Sequence, residues 1–193
     1  MKKINKQIVL AAIAITAIVA GGIIVLTRNS PDDSSATSPS KTTQVAATSP
    51  ETPEEKTKNQ LLFLIEEEKL AHDVYTVMFQ KYGASIFGNI LESESTHQEK
   101  VLSLLQARNI PDPRSSEIGV FTNSDLQSFY NTLITQGNQS ITEAYKVGVI
   151  IEEKDIADIN VQLATTSDDD VISTLEALRK GSESHLRAFN RQL

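Results

Sequence analysis

The chain has 193 residues, 39% of them hydrophobic and 22% charged, which is enough for one modest core with appendages. Its formal net charge of −7 argues against nucleic acid as a partner. The complete lack of cysteine excludes a disulfide framework, a thiolate metal site and a thiol nucleophile.

An apolar segment without a charged residue covers residues 8–26 and matches the thickness of a bilayer's hydrocarbon core. Lys2, Lys3 and Lys6 precede it, so the positive-inside rule keeps the amino terminus in the cytoplasm and exports the rest. Residues 1–28 are therefore predicted to be a single-pass cell-membrane anchor that leaves the C-terminal domain extracytoplasmic. The alternative is a signal peptide, whose cleavage would release a secreted protein.

Residues 29–54 are rich in Ser, Thr, Pro, Ala and Asp and nearly free of large apolar side chains. Such a segment cannot bury enough surface to offset the entropy that is lost on ordering. We expect a disordered linker that tethers a folded domain, residues 55–193, to the membrane.

The first helix of that domain is predicted over residues 60–82, ended by Gly83. Either of two apolar stripes on this helix could face the core. One carries Glu68 at its centre and the other carries Glu67, and periodicity leaves the choice between the two acids open. The other acids of the triplet that begins at Glu66 are interpreted as a solvated helix face.

The second helix is predicted from Ser85 to Arg108, ended by Asn109. In the middle of its apolar stripe stand Glu94 and His97, where the helical period calls for aliphatic side chains. Residues three apart lie on one helical face, so this pair can ligate a single ion, whereas an unpaired buried carboxylate is strongly unfavourable. Glu-x-x-His occurs in carboxylate-bridged di-metal four-helix bundles.

A connection without a helical pattern follows over residues 111–122. Asn123 then caps a short helix, residues 124–137, with one apolar side. We expect this short helix to lie in a long crossover between the second and third main helices.

A capping box at Ser140-x-x-Glu143 opens the third main helix, which is predicted to run to about residue 164. Its apolar stripe turns Glu152 inward and Glu153 outward. Asp155 lies one turn beyond Glu152 and is close enough to the same face to contribute a second carboxylate.

The fourth main helix opens with an acidic turn, residues 167–170, that suits the helix dipole. Its apolar stripe includes Ser182 and His185, and His185 completes a set of acids or imidazoles on four separate helices. Metal coordination would remove the burial cost of these groups together. Gly181 in mid-helix is expected to mark a close helix approach or a local distortion.

These patterns resemble the ferritin-like di-iron carboxylate superfamily, which includes the rubrerythrins. Over residues 61–193 the chain is most similar to a bacterial and archaeal ferritin-like family catalogued as a domain of unknown function, number 2202. The similarity is carried by EEEKLAHDVY, ESESTHQEKV, GVIIEEKDIADI and GSESHLRAF on the four main helices. The ferritin pattern Glu-x-x-Ala-x-x-x-Tyr fits Glu68, Ala71 and Tyr75, which favours Glu68 over Glu67.

The resemblance implies an all-α fold, a ferritin-like four-helix bundle with the short helix in its crossover. It implies a metal site whose bridging acids are Glu68 and Glu152. The other implied ligands are Glu94 and the terminal ligands His97 and His185. The fourth helix departs from the pattern, because Ser182 stands where a second Glu-x-x-His needs an acid. Asp155 or, through a local π-bulge, Glu183 is the expected replacement.

If iron binds, the resemblance implies two ions and oxidation chemistry with dioxygen or peroxide, and manganese or zinc would suit the same ligands. Two other classes of function stay open, a metal-binding or sensing module without turnover and a structural bundle that has lost its metal. The sequence therefore leaves open whether the protein is an enzyme. The expected partners are metal ions, the membrane and, through bundle faces, a second copy in a homodimer.

Overall fold

The computed structural model describes residues 51–193 of the chain. The predicted anchor, residues 1–28, and nearly all of the predicted linker lie outside this range. Within residues 51–193, every helix is too short or too polar to cross a membrane.

The described chain is all-helical, which confirms the all-α part of the predicted fold class. No strand occurs within residues 51–193. Its helices are α1 (Pro53–Tyr82), α2 (Ser85–Ala107), α3 (Ser124–Gly137), α4 (Ile141–Leu163) and α5 (Asp169–Asn190).

Helix α1 begins at Pro53 rather than at residue 60, so the sequence-based start of the first helix is wrong. A capping box starts the helix: the Thr52 hydroxyl accepts from the Glu55 N–H at 3.2 Å, and the Glu55 carboxylate accepts from the Thr52 N–H at 3.0 Å. Proline at the first helical position needs no hydrogen-bond partner for its nitrogen. Local capping therefore extends the helix before its apolar stripe begins.

The other helix ends lie within a residue or two of their predicted positions. Asn109, just beyond α2, adopts a left-handed φ of 52°. The Asn123 side chain accepts hydrogen bonds from the first turn of α3, and the Ser140 hydroxyl accepts from the Glu143 N–H at 3.1 Å to start α4. Helix stop and start signals in the sequence thus set these boundaries.

Four long helices pack together, α1 against α2 and α4, and α5 against α2 and α4. Helix α3, in the connection between α2 and α4, packs on α1 and α4. Because α1 contacts three helices and the crossover loop, its middle is buried on nearly every side. Any polar side chain there needs a partner inside the fold.

The interpretation of Glu66 and Glu67 as a solvated face is wrong, since they are only 3% and 4% exposed. The Glu66 carboxylate accepts from the backbone N–H groups of Thr122 and Asn123 at 2.6 and 2.9 Å. One Glu67 oxygen accepts from Lys154 Nζ of α4 at 2.7 Å. Tertiary partners distant in sequence therefore make the burial of these acids tolerable.

The apolar interior is divided into two half-cores. The first half-core includes Tyr75, Phe87, Ile151 and Phe189, and the second includes Leu64, Leu104, Ile159 and Leu178. Between them along the four long helices lies a polar layer, consisting of Glu68, Glu94, His97, Glu152, Asp155, Ser182 and His185. The fold thus concentrates polar side chains at one level of its interior.

Candidate metal centre

All six residues that the sequence singled out as metal ligands lie in the polar layer. Each is at most 8% exposed, and every one of the four long helices contributes at least one of them. The helical spacing explains this placement, since three- and four-residue steps keep the polar positions on the same inward faces as the flanking leucines. The predicted residues are Glu68, Glu94, His97, Glu152, Asp155 and His185.

The first group of candidate ligands joins α1 to α2 and consists of Glu68, Glu94 and His97. One ligand atom from each of them lies within 4.8 Å of the other two. His97 Nδ1 lies 3.1 Å from Glu68 Oε2 and 3.4 Å from Glu94 Oε2. Two carboxylates and an imidazole nitrogen converge here on one small volume.

The second group joins α2 to α4 and α5 and consists of Glu94, Glu152 and His185, again with ligand atoms within 4.8 Å of one another. His185 Nδ1 lies 2.9 Å from Glu94 Oε1 and 3.5 Å from Glu152 Oε1. Glu94 is therefore common to both groups, one oxygen near each histidine. The resemblance-based assignment of Glu68 and Glu152 as bridging acids stays a prediction.

Several atoms of the layer have no hydrogen-bond partner among residues 51–193. They are Glu68 Oε1, Glu94 Oε1, Asp155 Oδ1 and His185 Nδ1. Glu94 Oε1 and His185 Nδ1 are only 2.9 Å apart, yet they are not directed at each other as donor and acceptor. Buried polar atoms without partners are unfavourable, and a cation between them would satisfy both carboxylate oxygens and imidazole nitrogens. The donor set fits a divalent metal.

The electrostatics of the layer depend on protons held between its groups. Burial raises the pKa of Glu68 to about 8 and that of Glu152 to about 7. Burial opposes the charged form of His97 and His185, but the facing carboxylates outweigh it and raise their pKa values to about 11 and about 9. Burial also opposes ionisation of Glu94, yet both histidines outweigh it and lower its pKa to about 2. A metal ion would displace such protons from the imidazoles.

Asp155 lies in the layer but in neither group. Its Oδ2 accepts a hydrogen bond of 2.5 Å from the Ser182 hydroxyl, while Oδ1 is free of partners among the described residues. Burial, followed by the charge of Glu68, raises the pKa of Asp155. Glu183, the alternative replacement for the missing acid, is exposed on an unbroken helix, so the π-bulge expectation is wrong. Asp155 is thus the extra carboxylate that the fold brings to this level.

Three further residues in or beside the layer have roles that the sequence indicated weakly or not at all. Tyr75 donates a 2.6 Å hydrogen bond to Glu152 Oε1. Ser182, read as a departure from the family pattern, is the partner of Asp155, and only its position three residues before His185 hinted at this. Gly181 faces the His97 ring, so the close-approach alternative for this glycine is correct. His72, with a side chain 31% exposed, stays outside the layer.

The fold and the site together define a class of protein. It is a helical bundle with a buried layer of carboxylates and imidazoles between two apolar half-cores. Residues 57–193 match the family described as an uncharacterized protein domain, DUF2202, and the chain belongs to that family.

The chain is also similar to the uncharacterized protein MJ0754 of Methanocaldococcus jannaschii. The two are 44% identical over 140 residues, which are 72% of this chain and 76% of the relative. A crystal structure of the hypothetical protein MJ0754 from Methanococcus jannaschii DSM 2661 superposes with a TM-score of 0.71 at 44% identity. That superposition covers 72% of this chain and 80% of the other.

Proposed function

We propose that this chain is a membrane-anchored, extracytoplasmic, ferritin-like metal-binding protein whose polar layer holds two divalent ions, with iron as the preferred metal. The observation that carries the proposal is that two groups of three candidate ligands share the Glu94 carboxylate. A carboxylate with one oxygen near each histidine suits a bridge between two ions.

The charge of the layer supports occupancy by two ions. When ionised, Glu68, Glu94 and Glu152 carry three negative charges, and Asp155 adds a fourth that balances two divalent cations. The imidazoles of His97 and His185 would serve as terminal ligands, one in each group. Manganese or zinc would fit the same mixture of nitrogen and oxygen donors.

Iron held in this layer would supply oxidation chemistry with dioxygen or peroxide. The contribution of the chain is to hold its ligands in place and keep the site dry. Tyr75 fixes one oxygen of Glu152, and Ser182 fixes one oxygen of Asp155. Both half-cores close over the layer and limit access of bulk water, which strengthens electrostatic interactions within it.

The ferritin-like part of the proposal is supported by the order of the helices. Two pairs, α1 with α2 and α4 with α5, are each joined by a short connection, and a long crossover that includes α3 separates the pairs. One long crossover is the arrangement found in ferritin-like bundles. The membrane anchor is proposed from residues 8–26 alone.

A metal-binding or sensing module without turnover is the second candidate. The observation that favours it is Ser182, which stands where a second Glu-x-x-His would place an acid. The carboxylate that is present at this level, Asp155, already accepts a hydrogen bond from that serine. A weaker second site would bind metal without completing two-metal redox chemistry.

Metal loading of the full-length protein in mild detergent tests the proposal. Metal-free protein would be titrated anaerobically with Fe²⁺, desalted and analysed for iron, alongside the double variant Glu94→Ala, His185→Ala and the exposed control Glu153→Gln. We expect two irons per chain in the wild type and the control, with a higher melting temperature on loading, and neither effect in the double variant. Iron content and melting temperatures that do not differ between wild type and double variant would contradict metal binding in the layer.

Exposure of the loaded protein to air or peroxide separates the two candidates. Oxidation chemistry predicts a new near-ultraviolet absorption and consumption of peroxide above the rate of free iron. A binding or sensing module predicts the same rise in melting temperature with peroxide consumption at background.

A further inference from the structure

We propose that Gly181 of α5 is a positioning residue that sets the orientation of the His97 imidazole in the first group of candidate ligands. The consequence of Gly181 for metal binding rests on the proposed function, whereas the effect of Gly181 on the position of the His97 ring does not. Glycine in the middle of a helix is unfavourable relative to alanine, so its presence there needs a reason.

Position 181 requires glycine because a side chain would lack space there, and not because of the backbone conformation. Gly181 lies within α5 and is not among the glycines with positive φ, so an L-residue would fit its backbone. A Cβ atom at this position, however, would lie 2.4 Å from His97 Nε2 and 2.6 Å from His97 Cε1. Ordinary contacts between such atoms are about 3.5–4.0 Å, so the imidazole would have to retreat by roughly 1 Å.

The imidazole has little room to retreat. Beside the Nε2–Cε1 edge that faces Gly181, His97 Nδ1 contacts Glu68 Oε2 at 3.1 Å and Glu94 Oε2 at 3.4 Å, and the residue is only 5% exposed. The ring is thus held between two carboxylates and the bare backbone of α5. A shift of its Nε2 edge would move or rotate Nδ1 relative to Glu68 and Glu94.

Metal coordination is sensitive to such a shift. Ligand distances are met to within about 0.2 Å, which is much smaller than the displacement that a methyl group at position 181 requires. His185 lies beside Glu94 and Glu152, and the atoms nearest to a Cβ at position 181 all belong to His97. Gly181→Ala should therefore weaken binding in the first group and leave the second group in place.

A double-mutant cycle in the metal-free, full-length protein tests the contact itself. We expect Gly181→Ala to lower the urea midpoint of the wild type, and to leave it unchanged or raise it in the His97→Ala background, where the ring is gone and alanine favours the helix. The matched control is Gly137→Ala on α3, whose Cβ would meet Met78 at 2.7 Å, well away from the polar layer. The control should be additive with His97→Ala. Additivity of Gly181→Ala with His97→Ala would overturn the proposal.

Titration with Co²⁺, a visible substitute for Fe²⁺, tests the consequence for the site. We expect affinity for one of two ions to fall about 10- to 100-fold in Gly181→Ala, the range typical of losing a residue that orients a ligand, and to stay unchanged in Gly137→Ala. Nitrogen-15 signals of the His97 ring should shift in Gly181→Ala while those of His185 stay in place. If Gly181→Ala binds Co²⁺ with wild-type affinity and its His97 signals do not shift, the positioning role of Gly181 is overturned. A wild type that binds no Co²⁺ would overturn the proposed function, and the stability cycle and ring signals would then decide on Gly181.

Discussion

Tyr75 of α1 donates a 2.6 Å hydrogen bond to Oε1 of Glu152 on α4, and both residues are at most 2% exposed. The Tyr75 ring packs against Phe189 with 5.2 Å between ring centroids and against Phe87 with 6.0 Å. One side chain thus belongs to the first half-core through its ring and to the polar layer through its hydroxyl. The orientation of Glu152, a candidate ligand, is thereby linked to aromatic packing.

Replacing Tyr75 by phenylalanine removes this hydrogen bond with little change of volume. Because the Glu152 oxygen would be left buried without its donor, we expect a loss of about 1–3 kcal/mol in the free energy of unfolding of the metal-free protein. Urea denaturation of the full-length chain measures it. The control is Tyr145→Phe, since Tyr145 is half-buried and its hydroxyl has no partner within residues 51–193. Equal effects of the two variants would contradict a role for the Tyr75 hydroxyl.

The shared position of Glu94 makes a prediction about stoichiometry. Glu94→Gln should impair both ions, because Glu94 belongs to both groups, whereas Glu152→Gln should impair only one. For each ion affected, affinity should fall by more than the roughly 10- to 100-fold loss that follows removal of a residue that orients a ligand without binding the metal itself. Equilibrium Co²⁺ titrations that count bound ions measure this. If the two variants lose the same number of ions, Glu94 is not the shared ligand.

Two lysine–aspartate pairs with the same i,i+4 spacing differ in burial and should differ in strength. Lys69 and Asp73 are 6% and 4% exposed, whereas Lys154 and Asp158 are partly exposed. Asp73→Asn leaves a buried ammonium without its counter-charge, and we expect a loss of about 3 kcal/mol in the free energy of unfolding. For Asp158→Asn we expect at most about 1 kcal/mol, since Lys154 keeps Glu67 as a partner. Urea denaturation at neutral pH compares the two, and equal losses would contradict the argument from burial.

The pH dependence of stability should also report on Asp73. Burial alone would raise its pKa, but the His72 imidazole 3.6 Å away and the hydrogen bonds from Lys69 and the Gly119 N–H outweigh burial and lower it. A carboxyl with a lowered folded-state pKa stabilises the fold fully above its unfolded value, about 3.9, and this contribution is lost as the pH falls through the folded value. Below about pH 4 the wild type should therefore lose stability more steeply than Asp73→Asn. The urea midpoints of the wild type and of Asp73→Asn, measured from pH 5 to pH 2.5, should converge. Parallel curves for the two proteins would contradict a lowered pKa of Asp73 in the folded state.

The attachment of the crossover loop to α1 gives another prediction. The Glu66 carboxylate accepts hydrogen bonds from two backbone N–H groups just before α3, those of Thr122 and Asn123. Glu66→Ala removes both, and we expect a loss of at least about 2 kcal/mol in the free energy of unfolding, with faster amide exchange at residues 117–123. The control is Glu92→Ala, since Glu92 is exposed on α2. Unchanged exchange in the loop would contradict this anchoring role.

Much of the fold could be predicted because its signals are local. Periodicity and capping residues located the helices, and the start of α1 was missed although Thr52 and Glu55 already formed a recognisable capping box. The apolar stripe begins only at Leu61, so periodicity places the helix start after the polar residues 53–59. The polar positions within stripes likewise indicated the residues that the fold brings together in one layer.

The remaining features depend on contacts between residues far apart in the sequence. Glu66 and Glu67 look like solvated acids on a helix, and only the crossover loop and Lys154 supply the partners that bury them. Periodicity could not show that Glu94 stands between the two histidines, because that depends on how α2 sits against α5. The hydrogen bond from Ser182 to Asp155 also depends on how α5 and α4 are aligned along their axes.

The level at which the polar layer divides the interior also restricts how the helices can slide along one another. One helical turn is about 5.4 Å, and a slip of that size would bring a carboxylate against the leucines of a half-core. An interior lined only with aliphatic side chains would tolerate such slippage far better, as polar residues in coiled-coil seams illustrate. The buried acids and imidazoles therefore fix the axial alignment of the four long helices, and substituting them by leucine should broaden the native state into several alignments even if it raises the melting temperature.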